Sequence, residues 1–487
     1  MASREFLAYA VVGVPALGTA LLFLAPSRLA RLFATGAAVA TSAFALALAA
    51  VSLRAPGEPL VNDWLVVDVL AGVIVAVIGV VGLASVLVSA AWLTEARVSI
   101  VGPEKREKTY YAILFGFWAI LLAVPLAGNL AAAWLLVEAT TAASALLVGF
   151  SGLPRALEAG WKYLILTSLG LGVALLGIVL LAAGVPGGGL AALSWSALGT
   201  YVTGSETALV AYLLLLAGLA AKIGWAPVHN WLPDAHSEAP PPVSALLSAA
   251  LLPAVLVVAW RSQQSLAAVV GRRTTEDVLI AFGLVSLAVA IPFLWQSLPW
   301  KRLLAYSSLE HMGVIALGIG FGTPLALAGV VVHIAAHAVA KALGFYAATP
   351  LLGHEPRASA HAVTGIGRTK PALGATMGIS LGALAGLPPS PLFVSEVMIV
   401  AGGFQAGRPW AAAGTALLLS LGFLGLAHAL LEAVAGKARR RDTLRAPGLR
   451  GLTVLGAVSV VLLLGLAAAA FWLPGSAIVE ALLRGVA

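Results

Sequence analysis

Residues 325–349 read LALAGVVVHIAAHAVAKALGFYAAT, twenty-five consecutive positions that are apolar except for His333, His337, Lys341 and the closing Thr349. At about 1.5 Å per residue a helix of that length crosses the roughly 30 Å hydrocarbon layer of a bilayer. The three titratable residues follow each other at i, i+4 and i+8, so they share one face about a turn apart. A helix of this kind keeps its polar stripe inside a bundle rather than against lipid.

The rest of the chain repeats the pattern. Of 487 residues, 61% are hydrophobic and 10% charged, with a mean hydropathy of +1.02, far from the roughly 25% charge of a soluble domain. The apolar runs are continuous rather than alternating, which excludes a transmembrane barrel. The chain is therefore expected to be an all-α polytopic membrane protein, one membrane domain over 1–487. Fourteen spans are predicted at 6–24, 32–53, 66–93, 110–127, 129–151, 161–184, 207–231, 242–260, 277–296, 302–321, 325–349, 372–404, 409–435 and 452–473. The run at 6–24 is long enough to remain a span rather than a cleaved signal peptide.

Charge tests that count. With the N-terminus outside, the inner connections carry nineteen Lys and Arg and the outer side seven, namely Arg4, Arg54, Arg261, Arg272, Arg273, Arg408 and Arg484. This bias fits fourteen spans in a prokaryotic-type inner (cytoplasmic) membrane with both termini on the outer, periplasmic side. The net charge of +8 is thus a topology signal and not a nucleic-acid surface. Cysteine is absent, which excludes thiolate catalysis, disulfides and iron–sulfur ligation. No phosphate-binding GxxxxGK[ST] loop and no dinucleotide GxGxxG motif is present.

Spans 7 and 12 read as broken, at Trp225-Ala226-Pro227 and Gly386-Leu387-Pro388-Pro389-Ser390-Pro391, because each Pro removes a backbone donor and crowds the preceding turn. Both are fourth in a unit of five, spans 4–8 and 9–13, and an odd number of crossings inverts the second unit. The predicted organisation is spans 1–3 over 1–109, a first repeat over 110–260, an inverted second repeat over 277–435, and span 14 with a short tail over 452–487. Matching breaks in inverted repeats point to a transport site at the midplane.

Four ionisable residues inside predicted spans carry the functional reading: Glu138, Lys222, Lys341 and Glu396. A charge in mid-membrane costs about 2.5–3.5 kcal/mol on insertion scales, so such residues are retained for function or for pairing. Burial raises the pKa of a carboxyl and lowers that of an amine, bringing both toward the range where protons exchange. His333 and His337 with Lys341 form a possible proton ladder, Glu310 and His311 enter span 10, and His229 follows the span 7 break as a relay. Asp234 and His236 are loop relay candidates, although turn and cap roles explain acids in a Pro-rich stretch equally well. Lys301 and Arg302 read as interfacial anchors. No metal site is expected, since ligands from a third helix are not evident and a lysine stands in line.

With these residues in view, the chain resembles the antiporter-like, proton-conducting membrane subunits shared by respiratory complex I, group 4 hydrogenases and multi-subunit Na+/H+ antiporters. The strings that carry the resemblance are KIGWAPVHNWLPDAHSEAPPPVSALL (222–247), KRLLAYSSLEHMG (301–313), HIAAHAVAKALGFY (333–346) and GLPPSPLFVSE (386–396), together with Glu138 in span 5. The second and fourth look most like the F-type subunit of hydrogenase-4 and formate hydrogenlyase complexes. The resemblance implies that Glu138 and Lys222 are the coupled pair of one half-channel, Lys341 the central lysine of the other, and Glu396 its terminal proton-exchanging residue. His229, His333 and His337 match hydrophilic-axis positions. Where many relatives carry a lysine or histidine in span 8, this chain reads SALLSAALLPAVL, with Pro253 near that place. The long lateral helix of the largest relatives is not expected.

The implied function is proton translocation in a redox-driven complex, hydrogenase-like or complex I-like, with no cofactor in this chain and redox cofactors in partner subunits. Implied partners are other membrane subunits, a peripheral redox module, lipids and protons, with Na+ as the other candidate ion and no nucleic acid. The alternatives are an Mrp-type Na+/H+ antiporter subunit and a membrane partner in proton-driven inorganic-carbon uptake.

Overall fold

A computed structural model describes residues 2–24, 26–95, 101–183, 190–201, 205–352, 363–437 and 449–485. Among them, thirteen helices are long and apolar enough to cross a membrane. The remaining predicted span, span 12, is two shorter helices, Pro371–Leu384 and Pro391–Gln405. The sheet content among described residues is one short antiparallel pair, Leu60–Val61 with Val66–Val67, in the connection between spans 2 and 3. The chain is an all-α multi-pass membrane protein.

Spans 8 (Pro241–Val270), 10 (Trp300–Phe321) and 11 (Pro324–Tyr346) are the buried centre. Span 13 (Pro409–Ala435) and span 14 (Leu449–Ala470) present most of their surface outward. In hydrocarbon, helices associate by close packing rather than by the hydrophobic effect, so small residues mark the crossings. Span 6 (Pro154–Ala183) meets the first part of span 7 (Ser205–Ile223) at Gly218, where a Cβ would lie 2.4 Å from the Gly170 carbonyl oxygen.

Both breaks fall where Gly and Pro place them, and they end alike. Gly224 (φ 81°) and Gly386 (φ 72°) occupy the left-handed region, which favours glycine. The following residue donates back five positions, Trp225 to Ala220 at 3.0 Å and Leu387 to Gly382 at 3.0 Å, the closure that satisfies terminal helix carbonyls. The Ala226–Pro227 and Pro388–Pro389 peptide bonds are cis. Downstream the chain resumes as helix, at Trp231–Glu238 and at Pro391–Gln405. We denote the parts 7a, 7b, 12a and 12b.

Several expectations are corrected here. Helix 7a ends at Ile223, where Gly224 terminates it, and helix 7b carries span 7 to Glu238, past the predicted end at 231. Asp234 and His236 lie in helix 7b and not in a loop. Arg261 is no loop residue: it is buried in span 8, donating to the Pro125 carbonyl at 2.8 Å and to Asp68 Oδ1 at 2.9 Å. Lys301 is also buried rather than interfacial. It donates to the carbonyls of Ser237 (2.8 Å) and Ala239, neutralising the C-terminal end of helix 7b. The connections after spans 3, 11 and 13, which carry much of the basic excess, lie partly outside the described residues.

Candidate functional site

The second half of the bundle assembles one continuous group. Lys341 is fully buried on span 11 and donates to Ser307 Oγ at 2.5 Å and to the Leu304 carbonyl at 2.9 Å, both on span 10. One turn toward the N-terminus of the same helix is His337, and one further turn is His333. His311 of span 10 fits against both, its ring centroid 5.2 Å from that of His337 and 5.1 Å from that of His333. His311 Nδ1 and His333 Nε2 are 3.0 Å apart, and His333 Nδ1 lies 2.9 Å from Ser395 Oγ in helix 12b. The ladder of one helix face is therefore a zigzag across spans 10, 11 and 12b.

Glu396 follows Ser395, and its carboxylate stands within 4.8 Å of ligand-capable nitrogens of His311 and His333. Ligands from three helices thus do converge, which sequence spacing gave no means of seeing. The two histidine nitrogens are engaged with each other at hydrogen-bond distance.

Two glycines make room for the carboxylates. A Cβ on Gly386 would lie 2.8 Å from Glu396 Oε2, and one on Gly422 of span 13 would lie 2.0 Å from Glu310 Oε1. Glu310 is otherwise enclosed in span 10, with Oε2 lacking a protein partner. Both ring nitrogens of His337 and of His236 are likewise buried without a protein partner, as are His311 Nε2 and His229 Nδ1. Buried polar atoms are ordinarily satisfied by protein or by ordered water.

The first half is built differently. Lys222, the penultimate residue of 7a, is fully buried and donates to Thr141 Oγ1 at 2.7 Å and to the Tyr163 hydroxyl. Its ammonium stands 4.5 Å above the Tyr163 ring centroid. Tyr163 shares its hydroxyl with Ser144 Oγ at 2.7 Å and packs under Trp231 at 4.7 Å. Glu138 lies three residues before Thr141 on span 5 (Leu130–Val148), but it accepts from Ser168 at 2.6 Å and makes no ion pair with Lys222. Tyr163, Ser168 and Thr141 belong to the site and were missed in the sequence, where hydroxyls in apolar helices look like ordinary membrane-helix composition.

Between the halves, His236 stacks on Phe345 of span 11 at 5.3 Å. Span 8 carries a π-helical stretch, Leu247–Leu251, just before Pro253. Proline has no N–H to offer the preceding turn, and the wider turn accommodates that loss. Within it, Ser248 Oγ meets Ser308 Oγ of span 10 at 2.7 Å, next to the Ser307 that holds Lys341. Asp234 is half-exposed, 3.6 Å from both Lys162 and Arg302, and His229 is buried beside the break.

Comparison with known proteins shows the family and the fold. Residues 127–422 match the family described as NADH:quinone oxidoreductase/Mrp antiporter, transmembrane. A hydrogenase-4 component F homolog of Methylacidiphilum infernorum is 34% identical over 322 residues, covering 65% of this chain and 67% of that one. NADH-quinone oxidoreductase subunit N of Desulforudis audaxviator is 30% identical over 403 residues, covering 78% and 77%. In fold, the chain superposes on a subunit of the membrane-bound sulfane sulfur reductase, an archaeal respiratory membrane complex, with a TM-score of 0.83 at 20% identity and 99% coverage of both. The chain belongs to the antiporter-like membrane subunits of the NADH:quinone oxidoreductase/Mrp antiporter family.

Proposed function

We propose that this chain conducts protons across a prokaryotic inner membrane as a subunit of a redox-driven complex of the hydrogenase or complex I type. The observation that supports the reading is the run Lys341, His337, His311, His333 and Glu396, in which His311 and His333 stand at hydrogen-bond distance, the His311 and His337 rings are 5.2 Å apart, and a Glu396 oxygen lies within 4.8 Å of the His311 and His333 nitrogens. Neutral imidazoles both donate and accept, so a proton entering at one nitrogen leaves from the other. Unpartnered ring nitrogens on His337 and His236 supply points where water joins the file.

In this reading the chain forms two half-channels, 110–260 and an inverted 277–435, each centred on one lysine, Lys222 beside the span 7 break and Lys341 in span 11. Glu138 and Lys222 serve the first, Lys341 and Glu396 the second. His229, His236 and Glu310 support them, and Asp234 sits at the exposed end of helix 7b. The Ser248–Ser308 hydroxyl pair and His236 take the place of a span 8 lysine between the halves. Electron donors, acceptors and redox cofactors belong to partner subunits. Both termini face the periplasmic side.

The test is reconstitution of the purified assembly in sealed vesicles with an entrapped pH dye. Redox turnover should acidify or alkalinise the lumen in sodium-free medium, and Lys341→Ala should abolish that signal while redox turnover persists. A signal that requires Na+ would instead favour the antiporter reading.

A further inference from the structure

The two members of the first half-channel are held apart, and both restraints come from one helix. Lys222 donates to the Tyr163 hydroxyl, and Glu138 accepts from the Ser168 hydroxyl at 2.6 Å. Tyr163 and Ser168 are both on span 6, five residues or about 7.5 Å apart along its axis. On span 5, Glu138 and Thr141 are three residues apart on one face. Lys222, fixed at Thr141, thus meets span 5 on the face that carries Glu138, one turn along, with no ion pair between the two.

Glu138 is only partly buried, and the attraction between its carboxylate and the Lys222 ammonium is offset by the hydrogen bonds that each already makes. Their separation is maintained because each has a ready local partner and because the tyrosine ring is anchored on its other side. Ser144 takes part of the phenol hydrogen bonding, and Trp231 of helix 7b stacks on the ring while its indole N–H donates to the Ala221 carbonyl at 2.6 Å. Movement of 7b about the span 7 break therefore reaches Tyr163 directly.

We propose that span 6 is the latch of the first half-channel: Tyr163 and Ser168 hold Lys222 and Glu138 in a separated state, and displacement of Tyr163 by Trp231 lets the ion pair close. This rests on the proton-transfer reading above. Tyr163 and Ser168 act as positioning residues, whereas Lys222 and Glu138 are the groups that exchange protons. Span 6 and 7a cross at glycine contacts (Gly170, Gly177, Gly218), so a shift of one against the other carries the lysine with it.

The test is the structure of the assembled complex in nanodiscs, resolved for Tyr163→Phe and for Tyr163→Phe with Ser168→Ala. Both substitutions keep the packing volume nearly unchanged. The expected result is Lys222 Nζ within about 4 Å of the Glu138 carboxylate in the double variant, with an isotope-edited infrared shift of the Glu138 carboxylate band. Proton transfer should slow about ten-fold, and Ser168→Thr, which keeps a hydroxyl, should retain wild-type behaviour. Lys222 remaining at Thr141 with an unmoved Glu138 band in the double variant overturns the latch. That outcome is separate from failure of the underlying reading, which is decided by whether Lys222→Ala still pumps.

Discussion

His311 Nδ1 lies 3.0 Å from His333 Nε2, so spans 10 and 11 are joined at the centre of the bundle by two imidazoles. The pair is oriented by its surroundings, because His333 Nδ1 is fixed to Ser395 Oγ at 2.9 Å. Three helices thereby orient the two rings, and under the proposed function a proton arriving at either ring displaces one at the other.

Replacing His333 with Leu should interrupt this file. Proton transfer in reconstituted vesicles is expected to fall at least ten-fold, while Ser395→Ala, which removes only the orienting hydroxyl, should cost about two- to five-fold. Equal and small effects of both would remove the imidazole pair from the path.

Gly422 predicts a second class of variant. A methyl group there would lie 2.0 Å from Glu310 Oε1, so Gly422→Ala must push the carboxylate aside without touching a titratable residue. Proton transfer should drop by as much as in Glu310→Gln, about ten-fold, with the assembled subunit still recovered by size-exclusion chromatography. Wild-type transfer in Gly422→Ala would mean that the position of Glu310 is immaterial.

The buried Arg261 and Asp68 pair is structural. Arg261→Met leaves Asp68 without its counter-charge and should destabilise the protein by about 3–5 kcal/mol, whereas the double change with Asp68→Asn should recover most of that loss. Thermal unfolding in detergent checks both. A double variant as unstable as the single would show that the Pro125 carbonyl contact at 2.8 Å, and not the charge pair, matters at this site.

Much of this arrangement was legible in the chain. Continuous apolar runs specify spanning helices, and Gly224, Pro227, Gly386 and the prolines after it place the breaks, because local backbone chemistry decides them. The shared face of His333, His337 and Lys341 follows from helical period alone. What spacing cannot supply is which helix packs beside which. His311 inserting between two turns of span 11, and Lys301 turning inward to cap helix 7b, both depend on tertiary packing. For the same reason Lys222 and Glu138, expected as a coupled pair, are found on separate hydroxyl partners. The charge count placed Arg261 outside because a single arginine at the end of an apolar run carries no mark of the distant Asp68 that receives it.

The central claim is that Glu396 exchanges protons at the end of the buried file. The most direct measurement is dye-reported proton movement per electron transferred in vesicles containing the assembled complex with Glu396→Gln. The account predicts continued redox turnover with proton movement reduced at least ten-fold. An unchanged proton-to-electron ratio in that variant would contradict it.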